Sequence, residues 1–419
     1  AAAATGFGDP WRIETDLRRT ALGRRTVLFP SGVAEALAGL AIYDAGMLLL
    51  IVGAIVFVRL QVFTAYHIPT RSMEPTLHGD RDDGDRILVN RLAGTPERWQ
   101  IWVFEGWGTE RKNYVKRCAG LPNERLRIRE GDLYVNDELV RKDGDEYEAL
   151  LTPLWSWDDV HARIAKGGAR GDEYVDAFYD EHFDTWEKVS GTWDLHITEG
   201  YAAEAPAAGA DAVLRWAGPL QNDLYDPETG ERDDGYHDCP DLRVTAEVEL
   251  ADPAAQVTLR LTRGASSYEA RLGSDGVEVI ADGAVVAAST ASALRPGRPS
   301  TVSFSQVDRV LRLDVDGALL RHDLPQPENP RLNATSAILG FRVHDGAARI
   351  RPILVERDVY YTPDLDNDDV VLGPHDFYML GDTSENSHDS RRNGAVPPAR
   401  LVGRPVFVVW PPARWRIPR

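Results

Sequence analysis

The sequence predicts a mostly β protein: an antiparallel β domain behind an N-terminal transmembrane helix, split by a large β-sandwich insertion of jelly-roll type. Three observations predict it. Residues Gly46 to Val58 read GMLLLIVGAIVFV, an uninterrupted apolar run. Short runs rich in β-branched and aromatic residues fill the stretch from Asp85 to Val135, and the same pattern resumes from Tyr378 to Trp410. Between them, strict apolar–polar alternation starts at Leu242 and recurs with Asp-Gly turn signals, the pattern of a two-sheet sandwich.

The chain has 419 residues, of which 43% are hydrophobic and 27% charged, enough for two or three folded domains. The formal net charge of -19 argues against nucleic acid as a partner, because phosphate binding needs a basic face. Two cysteines, Cys118 and Cys239, make no disulfide framework. Cys118 reads as a small core residue.

Residues 1–44 form a first, cytoplasmic segment. Arg12, Arg18, Arg19, Arg24 and Arg25 precede the apolar run, which places the N-terminus inside and the rest of the chain outside by the positive-inside rule. The anchor is drawn at 45–66, with Arg59 near its end able to snorkel. A weaker apolar stretch, Val33 to Tyr43, is interrupted by Glu35 and followed by Asp44; an amphipathic approach helix and a second span both fit it. The run lies too deep in the chain for a cleavable signal peptide.

Residues 67–144 carry the first part of the antiparallel domain. Strands are expected at 85–90, 101–104 and 114–117, with a hairpin of 126–128 and 133–135 around Glu130-Gly131-Asp132. Residues 145–183, with Val160, Ile164 and many acidic positions, read as a helical connector. The sandwich occupies 184–361, with Trp186 and Trp193 ahead of its strands and turns at Asp275-Gly276, Asp282-Gly283, Asp316-Gly317 and Asp345-Gly346. Residues 362–419 complete the antiparallel domain.

Three short segments carry chemistry. The first is Ile68-Pro69-Thr70-Arg71-Ser72-Met73-Glu74-Pro75-Thr76-Leu77, directly after the anchor. The second is Tyr114-Val115-Lys116-Arg117-Cys118-Ala119-Gly120-Leu121-Pro122. The third runs from Gly381 through Asp382, Thr383, Ser384, Glu385, Asn386, Ser387, His388, Asp389 and Ser390 to Arg391. A serine hydroxyl needs a base to take its proton. Lysine serves if burial lowers its pKa by roughly 3 units from about 10.4. On a strand, side chains alternate, so Lys116 can enter a site while Val115 and Arg117 point away.

In this order, and behind an anchor, the three segments resemble the boxes of type I signal peptidases, the S26-type Ser/Lys endopeptidases that remove secretory signal peptides. The resemblance covers about residues 45–142 and 370–412. It implies that Ser72 is the nucleophile and Lys116 the general base, without cofactor or metal. It implies that Thr70, with the backbone N–H of Ser72, stabilises the oxyanion. It further implies that Ser387 orients the lysine amine and that Asp389 and Arg391 form a supporting ion pair. Substrate strands would add beside Tyr66-His67-Ile68 and Asn113-Tyr114-Val115. Shallow pockets of Ile68, Met73, Leu77 and Val115, with Tyr114 beside them, would accept small side chains, as in Ala-X-Ala sites. The expected partners are signal peptides of pre-proteins, membrane lipid, and a glycan or protein ligand of the insertion. The chain departs from the family's usual residues at Arg71, Asn123-Glu124 and Thr383-Ser384. The insertion resembles concanavalin-A-like or laminin-G-like jelly rolls.

Blander readings stand beside these. Ser72 suits a helix or turn cap. His388 beside Asp389 suits a Ser-His-Asp arrangement. The run Asp364, Asp366, Asn367, Asp368 and Asp369 hints at a cation but lacks the glycine and distal glutamate of a calcium loop. Two further functions are weighed: a catalytically weak, anchored binding protein that works through its sandwich, and a Ser/Lys processing peptidase dedicated to few substrates.

Overall fold

The structure is a computed structural model. It describes residues 40, 43–56, 62–107, 112–157, 186–196, 200–204, 211–217, 220–222, 224–225, 232–233, 237–326, 338–363, 369–385 and 387–419. The chain forms two units, 1–64 and 65–419. The weak apolar stretch 33–43, most of the segment 1–44 and the acidic positions 364–368 fall outside the described residues, apart from residues 40 and 43–44.

In the first unit, residues 43–56 form a helix, α1, whose apolar side chains, including Leu49 and Leu50, are exposed. At about 1.5 Å per residue it is shorter than the roughly 30 Å of a bilayer's hydrocarbon. Among the described residues no helix is long and apolar enough to cross a membrane. The expected anchor at 45–66 is also shorter as a helix, because the chain is already a strand, β1, over Phe63–His67. Its aromatic and β-branched residues favour the extended state.

In the second unit, β2 (Arg86–Asn90), β3 (Ile101–Glu105) and β4 (Asn113–Gly120) follow the expected positions. They join a six-stranded sheet in the order β1, β2, Leu401–Trp410, β3, β4, Tyr378–Leu380. Residues more than 280 positions apart therefore share one sheet, and the domain is split as its sequence pattern indicates. The hairpin of β5 (Arg125–Arg129) and β6 (Asp132–Val135) turns at Glu130 and Gly131, both at positive φ (51° and 90°). This is the mirror-image turn that matches strand twist. With β7 (Glu138–Leu139) and Val370–Val371 it makes a small four-stranded sheet.

The insertion is a sandwich of one eight-stranded and one seven-stranded antiparallel sheet over a single apolar core. Leu242, Val244, Ala246, Val248 and Leu250 alternate inward along the strand Leu242–Leu250. Asp282-Gly283 and Asp316-Gly317 close hairpins with both residues at positive φ. Trp186 is buried and packs edge-on against Trp155 and Trp216. The side chain of Trp193 lies outside the described residues.

The expected helical connector at 145–183 needs correction. A helix, α2, covers Gly144–Leu150, but β8 (Leu151–Ser156) follows at once and pairs with the long sandwich strand Ala347–Asp358. Leu151, Leu154 and Trp155 are buried there, so the burial of large apolar groups overrides the acidic, helix-like composition. Residues 158–185 lie outside the described set. Strands of the sandwich thus begin at residue 151, earlier than 184.

Host and insertion meet across buried charge. Lys142 pairs with Asp308 (2.7 Å) and Asp358 (2.8 Å), and Arg263 with Asp241 (2.5 Å) and Asp132 (3.3 Å). Tyr361 stacks on Trp99 beside them.

Candidate active site

Ser72 lies in a 3-10 turn, Arg71–Met73, that the chain around it holds from several sides. Met73 is fully buried and its carbonyl accepts from Leu77 N (2.8 Å). The backbone of Gly79 presses on Thr70: a β-carbon there would stand 1.9 Å from the Thr70 carbonyl oxygen, so only glycine fits. From the far end of the chain, Thr383 N donates to the Ser72 carbonyl (3.2 Å). The Thr383 hydroxyl reaches the carbonyls of Arg71 (2.9 Å) and Glu74 (3.0 Å).

Lys116 comes from β4 and is 2% exposed. Its Nζ donates a short hydrogen bond to Ser72 Oγ. Strand alternation works as expected: Arg117 leaves on the other face, where it pairs with Asp382 (2.6 Å) and donates to the Trp99 carbonyl. Burial pushes the Lys116 ammonium down to about 8. The carboxylates of Asp389 and Asp382 oppose that shift, and Arg391 adds to it.

The third segment closes the back of the site. Asp389 pairs with Arg391 (2.6 Å) and accepts from Gly381 N (3.1 Å). Arg391 also donates to Thr362 and Ser384. A β-carbon on Gly381 would meet Ser387 Oγ at 2.2 Å and the Ser72 carbonyl at 2.6 Å, so both crowd this position and leave room only for glycine. The Ser387 hydroxyl is buried and has no hydrogen-bond partner among the described residues, so it makes no hydrogen bond to Lys116.

The other sequence-derived candidates fall into two groups. Thr70 is exposed at the cap position of the 3-10 turn and makes no side-chain cap bond. Ser72 sits inside that turn, not at its cap. Ile68, Met73 and Leu77 are interior residues of one apolar cluster, with Met73 and Leu77 fully buried, and this cluster leaves them no open pocket surface. Val115 and Tyr66 lie half-buried on its rim, and Tyr114 is half-buried in a neighbouring cluster. His388 is exposed while the Asp389 carboxylate turns inward to Arg391, which leaves no Ser-His-Asp geometry. Burial raises the Cys118 thiol to about 12, so it stays protonated. Four buried carboxylates, of Asp132, Asp241, Asp308 and Asp358, lie within 4.8 Å of one another, the spacing of a metal site. Lys142 and Arg263 already supply cations there.

Sequence reasoning missed Gly79, Gly381, Thr383 and the Arg117–Asp382 pair as parts of the site. Arg117, Gly381, Asp382 and Thr383 lie inside segments already singled out, but their contacts form only in the fold.

Residues 42–176 and 343–410 match the family model described as signal peptidase, peptidase S26. A probable signal peptidase I-2 of Synechocystis is 30% identical over 134 residues, which cover 30% of this chain and 57% of that protein. Signal peptidase I of Bacillus amyloliquefaciens is 38% identical over 88 residues (20% of this chain, 44% of that protein). Signal peptidase I of Pseudomonas aeruginosa is 38% identical over 91 residues (18% and 31%). The chain thus spans between about a third and somewhat over half of the length of these relatives. Among solved structures, a carbohydrate-binding module of Bacillus subtilis is 17% identical, with a TM-score of 0.30, over 41% of this chain and 95% of that one. Over residues 42–176 and 343–410 the chain is thus similar to the signal peptidases of the peptidase S26 family.

Proposed function

We propose that this chain is a membrane-anchored serine endopeptidase that removes signal peptides from exported pre-proteins with a Ser72–Lys116 dyad. The observation that carries the reading is the direct contact of Lys116 Nζ with Ser72 Oγ inside a buried site. Once the lysine is neutral, the same contact reverses: Ser72 Oγ–H donates to the amine, which takes the proton as the oxygen attacks a peptide carbonyl. The amine then returns that proton to the leaving nitrogen. Water repeats the cycle on the acyl-enzyme. In this reading Thr70 and the Ser72 N–H receive the negative charge of the intermediate. In this reading Ser387, Asp389 and Arg391 support Lys116 from behind: burial lowers the lysine's pKa, and the charges of Asp389, Asp382 and Arg391 adjust it.

Backbone pairing supports the mode of substrate binding. The strand Tyr378–Leu380 pairs with β4 only from Arg117 onward, so, among the described residues, 113–116 have β3 on one side and an open edge on the other. β1 is the last strand at the opposite end of the sheet. Tyr66 of β1 and Val115 of β4 pack on the same apolar cluster, so an extended substrate between the two edges would pass Ser72. Small side chains fit such a shallow rim, in line with Ala-X-Ala sites. An anchor that begins at residue 45 and ends before β1 would hold the domain at the outer membrane face. Arg71, half-exposed beside the nucleophile and paired with Glu74 (2.7 Å), favours a narrow substrate range within this reading.

The test is cleavage of a pre-protein with an Ala-X-Ala site, in detergent, by wild type, Ser72→Ala and Lys116→Ala. Wild type should cut at that site, and each variant should lose at least about 1,000-fold in kcat. An inert wild type, or a Lys116→Ala variant that still cuts, overturns the dyad.

A further inference from the structure

The sandwich touches the catalytic half at a second place, next to the candidate site. Two segments of the insertion, 220–222 and 237–239, run antiparallel: Gln221 pairs with Asp238, Asn222 N donates to the His237 carbonyl (2.9 Å) and Cys239 N to the Leu220 carbonyl (2.8 Å). The Asn222 side chain locks this ribbon by accepting from His237 N (3.0 Å). The ribbon is seated on the chain that returns from the sandwich. Arg357 donates to the Asn222 carbonyl (3.3 Å), and the His237 ring stacks on Tyr360 at 5.2 Å.

What the ribbon presents is a grip on Glu385. Asn222 Nδ2 donates to Glu385 Oε1 (2.8 Å), and His237 Nε2 lies 3.6 Å from the same oxygen. Glu385 is two residues from Ser387 and four from Asp389. On its other side the same loop is tied by Ser384, whose hydroxyl accepts from Thr362 N (2.8 Å) and from Arg391. Thr362 directly follows the chain leaving the sandwich. Among the described residues, this loop is thus tied to the insertion through Asn222 and His237, and to the start of the returning chain through Thr362.

We propose that the insertion acts as a positioning element for the proposed reaction: its Asn222–His237 ribbon holds Glu385, and through it the loop that sets Ser387, Asp389 and Arg391 behind Lys116. The inference rests on the Ser/Lys reading, and Glu385 acts in it as a positioning residue. Losing the grip would let the loop drift, with little effect on the substrate edges formed by β1 and β4. Turnover should suffer and substrate binding should not. Because Asp389 and Arg391 bear on the basicity of Lys116 from this loop, its drift should also move the pH midpoint of kcat.

The experiment compares full-length wild type, Glu385→Ala, Glu385→Gln, Asn222→Ala and the double variant. It measures kcat, KM and the pH profile on the Ala-X-Ala pre-protein, and amide hydrogen exchange across residues 381–391. Glu385→Ala and Asn222→Ala should each lower kcat about 5–20-fold with KM within about twofold, a loss of roughly 1–2 kcal/mol. They should shift the pH midpoint, speed exchange in 381–391, and fail to add in the double variant, since both remove one interaction. Glu385→Gln keeps the accepting oxygen and should retain most of the wild-type kcat. Wild-type kcat and exchange in both alanine variants overturn the proposal, as does a Glu385→Gln variant as impaired as Glu385→Ala. His237→Ala, at a half-exposed site, gives the same comparison with the fold least disturbed. Exchange reads the loop without catalysis, so a failed dyad and a failed grip give different results.

Discussion

Lys116 shows how a single residue can be costly to the fold and useful to the site. Its folded pKa of about 8 lies below the roughly 10.4 of a free lysine, so the protonated folded state is penalised. That penalty is full below about pH 8 and fades as pH rises toward 10.4. Two outcomes follow for the proposed reaction. Cleavage should rise toward alkaline pH with a midpoint near 8. Lys116→Met should be inactive yet more stable than wild type at pH 7, by up to about 3 kcal/mol, read from chemical denaturation. A variant no more stable than wild type would show that Lys116 is not held below its free pKa in the folded state. At this scale the sequence was informative where chemistry is local. Ser72 and Lys116 stand in short segments whose neighbours mark them, and the alternation of β4 is enough to aim the lysine. The roles of Gly381 and Thr383 were hidden, because they touch Ser72 across about 310 positions of chain. The burial of Met73 and Leu77 was hidden too, since an apolar residue reads the same whether it lines a pocket or fills a core.

At the scale of elements, turn chemistry was the most legible signal. Glu130-Gly131, Asp282-Gly283 and Asp316-Gly317 all form the two-residue hairpins that their residues favour. The errors came where composition pointed one way and packing another. β8 sits in a stretch of helical flavour, yet Leu151, Leu154 and Trp155 pay their way by filling the edge of the sandwich against Ala347–Asp358. Trp155 also packs edge-on against Trp157, Trp186 and Trp216. Trp155→Ala should therefore destabilise the sandwich by about 3–5 kcal/mol, seen as a lowered Tm in calorimetry. An unchanged Tm would show that β8 is a loose appendage. The start of β1 was misread for a related reason: Phe63 to Tyr66 are apolar enough to extend an anchor and extended enough to begin a sheet.

For the whole molecule, the split of the domain was legible from the return of one strand pattern after another, but the charged contact between the two halves was not. Asp132, Asp241, Asp308 and Asp358 are spread over more than 220 positions and meet only in the fold. Burial raises Asp358 to about 7 and lifts Asp132 and Asp308 as well. An unfolded aspartate ionises near 3.9. Between these values the folded chain holds a proton that the unfolded chain has lost, so stability falls as pH rises from about 4 to 7 and levels off above. Tm should drop by a few degrees between pH 5 and pH 8, and Asp358→Asn should flatten that slope; a wild-type Tm that rises over this range would show that Lys142 and Arg263 dominate. The way the sandwich is attached has a consequence of another kind. Val359 N donates to the Leu150 carbonyl at 3.1 Å, so the strand that enters the insertion and the strand that leaves it start side by side. In topological terms the sandwich is a side branch with a closed neck. Its roughly 200 residues add sequence distance between the host strands β4 and Tyr378–Leu380 but no spatial distance, provided the branch folds first and brings its own neck together. A host sheet built this way folds fastest when its guest has folded first.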